Sequence, residues 1–227
     1  MSTLAADFDR LAQLDQDGWT ANNHYHDFLL SQLPPNCGTV LEIGCGTGAF
    51  SRRLAERGAN VLAIDLSPEM IRVARDRSSQ LANVSFEVAD VMSRDFPRGR
   101  YDCIASIATL HHVPQRDTLL KLKEALKPGG VMLILDLFQP ERTLLSLAGW
   151  RDSLAEPLRL ARSMSLRLTH NHYLRPPRAV RAAWSAHGKT DRYLTMREAR
   201  SLYDEILPGA VIHKHLLWRY SVVWRKA

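Results

Sequence analysis

"VLEIGCGTGAF", residues Val40 to Phe50, is an apolar run of strand length that ends on three glycines at alternate positions, Gly44, Gly46 and Gly48. In open α/β sheets, ligands bind beyond the carboxyl ends of the strands where the strand order reverses, and the loop after the first strand lies at that place. Glycines there tolerate positive φ and, lacking Cβ, let a ligand approach the backbone. Taken alone, the triplet is a weak signal that also fits a tight turn packing a helix on a strand, so the rest of the chain has to decide.

Strand-length runs "TVLEIG", "ANVLAIDL", "NVSFEVAD", "YDCIASIATL" and "GGVMLILDL" alternate with helical patterns at Ala49–Arg57, Pro68–Ser78 and Arg116–Leu126. The runs are apolar on both faces, as expected of parallel strands covered by helices on each side. Ser67 before Pro68 and Glu69 reads as an N-cap followed by proline at the first helical position. "KPGG" after Leu126 stops a helix and turns into the next strand. After the helical "TMREARSLYDEIL", the β-rich runs Ala210–Leu217 and Tyr220–Arg225 follow almost without a gap, too close for a helical crossover, so this pair must be antiparallel. The expected fold is α/β: a doubly wound, seven-stranded, mostly parallel sheet with an antiparallel C-terminal strand, plus a helical cap. The expected organisation is an N-terminal helical lid over 1–35, ending at Pro34–Pro35, and a cofactor-binding, Rossmann-like core over 36–138. A basic, apolar-rich insertion over 139–194 and a C-terminal helix and hairpin over 195–227 complete it.

With 227 residues, 45% hydrophobic and 24% charged, the composition is that of a globular protein. The opening "MSTLAADFDR" holds two acids and no apolar centre, so no signal or transit peptide is read there. The longest apolar run, "GGVMLILDLF", is too short to span a bilayer. Cys37, Cys45 and Cys103 form no CxxC and fit a reducing cytosol, so a cytoplasmic location is expected. The net charge of +6 has one source: Glu141 to Tyr193 carries ten basic and four acidic side chains, while the remainder balances twenty against twenty. That segment is either a solvated face with snorkelling arginines or an attractor of an anionic substrate, RNA or lipid head groups. Within it Leu144, Leu147, Trp150, Leu154 and Leu158 recur near helical spacing, a stripe that would roof a pocket or rest in a membrane interface.

Three carboxylates fall at strand ends. Asp65 closes "VLAIDL", where it can accept both hydroxyls of a ribose. Asp90 closes "FEVAD", where it can accept from an exocyclic amine or serve a solvated turn. Glu42 sits inside an apolar strand and needs donors, which loop N–H groups or a ligand ammonium would supply. Gly44, Gly46 and Ala49 also satisfy the relaxed GxGxx(G/A) nicotinamide fingerprint. Glu42 before the loop, Asp90 after the third strand and the antiparallel C-terminal pair oppose that reading. A carboxylate aimed into the loop repels a pyrophosphate and welcomes an α-amino group, so the ligand expected is adenosine joined to an amino acid, without phosphate.

"VLEIGCGTG", "AIDLSPEMI", "FEVADV", "YDCIASIATLHHV" and "LKPGGVMLILDL" resemble, in order and spacing, the successive motifs of class I S-adenosylmethionine-dependent methyltransferases. The resemblance covers about Thr39 to Leu137 and returns from Thr195 to Arg225. It implies that Glu42, Gly44 and Gly46 face the methionine part of the cofactor, with Cys45 and Gly48 in the same loop. It further implies that Asp65 binds the ribose, Leu66 and Met70 flank the adenine, Asp90 with Val91 reads the adenine edge, and Ile107 lies along the methionine chain. The acceptor it leaves open; a small organic molecule methylated on oxygen, nitrogen or carbon is expected, with tRNA or rRNA, or a lipid or quinone, as alternatives, and, furthest from it, a nicotinamide-dependent oxidoreductase or a non-catalytic binding module.

Methyl transfer from a sulfonium is an in-line displacement, so alignment and exclusion of water are the main tasks of the protein. A base is needed where the acceptor holds its proton at working pH. His111 and His112 in "ATLHHV", at the rim after the fourth strand, are the candidates, with Tyr25 of "NNHYHDF" as a lid residue beside His24 and His26. His170 and His172 in "THNHYLR" fall on opposite sides of a strand or loop and lack a third ligand nearby, so no metal site is expected.

Overall fold

The structure, a computed structural model, describes residues 3–14, 18–140, 147–188 and 191–227. Its strands are β1 (Thr39–Ile43), β2 (Asn60–Asp65), β3 (Val84–Val88), β4 (Tyr101–Ile107), β5 (Leu126–Leu137), β6 (Val211–Lys214) and β7 (Arg219–Arg225). Its helices are α1 (Thr3–Leu14), α2 (His26–Leu30), α3 (Ala49–Ala55), α4 (Pro68–Arg77), α5 (Gln115–Ala125), α6 (Leu147–Asn171), α7 (Arg178–His187) and α8 (Met196–Ile206). The seven strands form one sheet in the order β3-β2-β1-β4-β5-β7-β6. β7 runs antiparallel between β5 and β6, and the pairs from β3 to β5 are parallel. The chain lays β2 and β3 on one side of β1 and then crosses to place β4 and β5 on the other, so the order reverses between the ends of β1 and β4.

Strand alternation divides the core in two. Leu41, Ile43, Ile104 and Met132 pack with Leu119 and Leu122 of α5 and Tyr203 of α8. Val40, Val61, Ala63 and Leu133 pack on the other face with Leu29, Phe50, Leu54 and Ile71 from α2, α3 and α4. The tyrosine hydroxyls of Tyr203 and Tyr220 satisfy each other at 3.2 Å inside the first layer. Ser67 caps α4 as expected, its hydroxyl accepting from the Met70 N–H at 3.1 Å. Thr195 and Glu198 form a capping box at the start of α8.

Two expectations change. "KPGG" does not separate α5 from the strand: Leu126 already pairs with Tyr101, and the register shifts before Val131 meets Cys103. The N-terminal segment is not one helix running to Pro34. α1 stops at Leu14, and a new turn begins where Thr20 and Asn23 cap each other, Thr20 N–H donating to Asn23 Oδ1 at 2.8 Å and Asn23 N–H to Thr20 Oγ1 at 3.1 Å. A short 3-10 turn (Asn23–Tyr25) and then α2 follow that reciprocal pair. The segment after β5 leaves and returns at one point: Phe138 bridges Leu194, and the Gln139 N–H donates to the Leu194 carbonyl at 2.9 Å. α6 and α7 thus stand over the carboxyl end of the sheet.

Gly48, at φ +77, caps α3 so tightly that a Cβ there would lie 2.9 Å from two ring atoms of Phe86. Gly48→Ala is expected to lower stability by about 2 kcal/mol, read from the urea midpoint, with part of the loss recovered in a Phe86→Leu background; strictly additive losses would place the strain elsewhere. Burial against the Phe50 ring lowers His26 to about 4, from an ordinary 6.5. The unfolded chain therefore takes up this proton first, and the stability His26 contributes is complete above pH 6.5 and lost as the pH falls toward 4. A His26→Phe variant should show a flatter slope of unfolding free energy against pH across that window.

Candidate active site

The reversal of strand order brings the ends of β1, β2, β3 and β4 to one cavity of about 550 Å³, within the range of small-molecule sites. The backbone of the glycine loop is placed by close approach. Gly44, at φ +65, faces Thr109, whose Oγ1 would lie 2.0 Å from an added Cβ. Gly46 faces open space: the nearest atom to a Cβ there is the Met70 sulfur at 4.0 Å. A cradle of this shape, with backbone on one wall and Met70 on another, fits a flat ligand lying against the loop. Thr109 in turn donates to the Ile107 carbonyl at 3.0 Å, and Ala108 between them holds φ +51, a strained backbone at the tip of β4.

Asp65 ties two loops together. Its Oδ2 accepts from the Gly46 N–H at 2.8 Å and its Oδ1 from the Ser67 N–H at 2.9 Å. Burial raises its pKa against the pull of those backbone donors. A carboxylate offers about four acceptor positions, more than these backbone donors fill, and the side chain lines the cavity, so a hydroxyl can still be received there. Among the described residues no loop N–H donates to Glu42; the Ser51 hydroxyl of α3 donates to its Oε2. Burial pushes Glu42 up to about 8, with the Ser51 hydrogen bond opposing and Asp65 adding to the rise. An ammonium brought near would favour its ionised form, and a phosphate would not. Asp90 accepts from the Met92 N–H at 2.9 Å, a turn role, and also lines the cavity.

Of the residues singled out by sequence, Glu42, Gly44, Cys45, Gly46, Asp65, Leu66, Met70, Asp90, Val91, Ile107, His111 and His112 all line this cavity. Gly48 does not; it packs on Phe86, because the loop has already turned into α3. Tyr25 is not among the lining residues either. Its ring stacks on His215 at 4.4 Å and its hydroxyl accepts from the Leu217 N–H at 3.1 Å, since the turn that starts at Asn23 points it at the C-terminal hairpin. His26, one residue on, reaches the cavity instead. His170 lies in the last turn of α6 and stacks on Trp19 at 6.3 Å, so the expectation of a strand or loop there is corrected.

The wall opposite the glycine loop holds a polar cluster. His111 Nδ1 lies 2.6 Å from Asp136 Oδ1, with both side chains almost fully buried. Asp136 Oδ1 also accepts from the Leu137 N–H at 2.8 Å. His112 Nδ1 is 3.5 Å from Asp191 Oδ1, and the Tyr193 hydroxyl donates to Asp191 Oδ2 at 2.8 Å. Burial, then neighbouring His111, lowers His112 to about 4. His111, His112 and Asp191 place ligand atoms within 4.8 Å of one another, a set the sequence hides because Asp191 lies far downstream. Arg219 of β7 reaches the cavity with its Nε donating to Asn22 Oδ1 at 2.6 Å; burial lowers it to about 10, so it keeps its charge at neutral pH.

Asp136, Asp191 and Arg219 were not anticipated. For Asp136 the signal was present: a lone carboxylate in the apolar run "VMLILDLF" needs a donor for the same reason that Glu42 does. The N-terminal segment lines part of the cavity, through Leu4, Phe8, Leu11 and Leu14. Asp9 of α1 accepts from the Ser67 hydroxyl at 2.6 Å and the Glu69 N–H at 3.2 Å. Trp19 and Asn171 exchange two hydrogen bonds at 2.8 and 2.9 Å, joining that segment to the end of α6.

Residues 40–130 match the family described as methyltransferase domain. Over 212 residues the chain is 31% identical to an uncharacterized methyltransferase of Mycobacterium tuberculosis, covering 91% of this chain and 96% of that protein. It is 34% identical over 131 residues to the 2-methyl-6-phytyl-1,4-hydroquinone methyltransferase of Synechocystis, covering 57% of this chain and 41% of that one. The fold matches a SAM-dependent methyltransferase of Aquifex aeolicus with a TM-score of 0.60 at 16% identity, covering 97% and 98% of the two chains. With the glycine cradle, the strand-end carboxylates and these likenesses together, the chain belongs to the class I S-adenosylmethionine-dependent methyltransferases.

Proposed function

We propose that this methyltransferase acts on a small, largely apolar acceptor with an ionisable proton, and that His111, held by Asp136, removes that proton. The observation that carries the reading is the buried 2.6 Å contact between His111 Nδ1 and Asp136 Oδ1 on the cavity wall. A carboxylate only accepts, so the pairing leaves the hydrogen on Nδ1 and the lone pair on Nε2, the arrangement of a general base. Leu4, Phe8, Leu11, Leu14, Trp19 and Trp184 give the cavity an apolar lining suited to such an acceptor. Arg219 supplies a charge that would stabilise an acceptor anion; among the described residues it forms no ion pair. The Synechocystis relative's name, a hydroquinone methyltransferase, supports an aromatic diol as the acceptor class, its ionisable proton being a phenolic one.

S-adenosylmethionine, when bound, supplies a methyl group on a sulfonium with a good leaving group. For its placement we assign Asp65 to the ribose hydroxyls, Glu42, Gly44, Cys45, Gly46 and Ile107 to the methionine part, and Leu66, Met70, Asp90 and Val91 to the adenine. The chain does the rest: α1 and residues 18–26 act as the lid, 139–194 as the cap, and both keep water from the reacting groups. Three free thiols at Cys37, Cys45 and Cys103 support a reducing, cytoplasmic setting, and among the described residues no helix is long and apolar enough to cross a membrane.

Calorimetry with S-adenosylhomocysteine is expected to show a loss of tenfold or more, roughly 1.5–3 kcal/mol, for Asp65→Ala and for Asp65→Asn, with unfolding midpoints checking the fold. Unchanged affinity would misplace the ribose. For the chemistry, a panel of phenols and hydroquinones with methyl-labelled cofactor should yield extractable label. His111→Gln should cut the rate about 10²–10⁴-fold with cofactor affinity unchanged, and Asp136→Asn should cut it less while shifting its pH profile. Rates equal to wild type in both variants would remove the base assignment.

A further inference from the structure

α6 is built the wrong way round for a helix in water. Its buried side is polar: Asp152, Arg159 and Ser163 face the molecule, joined there by Leu166. Arg159 is held by Asp152 at 2.7 Å and by Glu156 at 3.3 Å, Lys214 of β6 reaches Asp152 at 2.5 Å, and Trp218 donates to Glu156 Oε2 at 3.1 Å. The outward side is the leucine stripe. Trp150, Leu154, Leu158, Leu160, Met164 and Leu168 are exposed, Leu154 by 75% and Leu158 by 60%. Of the stripe read from sequence, Trp150, Leu154 and Leu158 therefore do not roof the cavity; Leu144 and the side chain of Leu147 lie outside the described residues. At 3.6 residues per turn these exposed apolar residues fall within one face, with no charged residue between them. A continuous exposed apolar face of this length marks an interaction surface.

The charges beside it identify the occupant. Arg151 and Arg162 flank one edge of the stripe, and Arg175, Arg178 and Arg181 follow before and along α7; all five are exposed. Among the described residues none of these five forms an ion pair, whereas the inward Arg159 has two carboxylates. We propose that the outward face of α6, with the arginines beside it and on α7, docks this protein on an anionic membrane surface. The helix would lie in the interface plane, leucines toward the acyl chains and guanidinium groups toward lipid phosphates. A second copy fits less well, because a two-fold contact sets the same cationic rim against itself. Single-stranded RNA fits less well too, since leucine and methionine offer no stacking plane and Trp150 is the one aromatic in the stripe. The proposal rests on neither His111 nor the acceptor.

The test is flotation of the full chain with vesicles of phosphatidylcholine alone and of phosphatidylcholine with phosphatidylglycerol. The protein is expected to float with the anionic vesicles, less with the neutral ones, and less as salt rises. Leu154→Asp with Leu158→Asp should lower the partition coefficient by about tenfold or more, and Arg151→Gln with Arg162→Gln should lower it for anionic vesicles alone. Affinity for S-adenosylhomocysteine, unchanged in both variants, would show that they fold. No flotation with anionic vesicles, or flotation unaffected by the aspartates, would overturn the proposal. So would retention on bulk tRNA without flotation, or a dimer in solution that the aspartate pair turns into monomers while vesicles bind neither.

Discussion

One carboxylate holds the site together. Asp65 receives the N–H of Gly46 from the loop after β1 and the N–H of Ser67 from the start of α4, and so ties together two strand ends. The loop can accept that tie because Gly44 lets the backbone pass beside Thr109, where any side chain would collide. Everything proposed for the cofactor follows from this pairing. A phosphate-binding loop would leave its N–H groups to the ligand; here one of them is already engaged by an acid, and a second acid, Glu42, lies beneath with Ser51 as its donor. Such a site suits a ligand whose charge near the loop is positive or absent.

Across the cavity the protein concentrates a different set of polar groups. His111 and Asp136 are paired, His112 is kept neutral at ordinary pH by burial, and Arg219 retains its charge. In the proposal, His111 is the oriented base that draws a proton from the acceptor, and Arg219, which forms no ion pair among the described residues, holds the anion that results. In that proposal the covering by the N-terminal segment and by α6 and α7 matters, because the same charges in open water would be far weaker. The paired hydrogen bonds between Trp19 and Asn171 are where those two coverings meet.

The sheet was legible because its central strands, β1, β2, β4 and β5, are largely apolar on both faces and boundaries carry their own chemistry, as at Ser67–Pro68. The short gap before Arg219 likewise announced the antiparallel strand. Strand-end carboxylates were legible for the same reason: an acid next to a buried run is conspicuous. What stayed hidden was direction. Periodicity shows that Trp150, Leu154 and Leu158 share a face, but not that Asp152 and Arg159 would claim the inner one through Lys214 and Glu156. Likewise "NNHYHDF" reads as part of a helical lid with Tyr25 over the cofactor, yet Tyr25 packs on His215 and Leu217 while His26 lines the cavity. Asp191 and Arg219 reach the cavity from segments remote in sequence, and no local pattern connects them to His112.

The convergence of these strand ends on one adenosyl amino acid is open to direct inspection. A crystal structure of the protein soaked with S-adenosylhomocysteine should show the ribose hydroxyls on Asp65, the adenine between Leu66 and Met70, and the sulfur pointing toward the wall that carries His111. Density for the nucleoside away from Asp65, or a diphosphate accommodated beside Glu42, would contradict it.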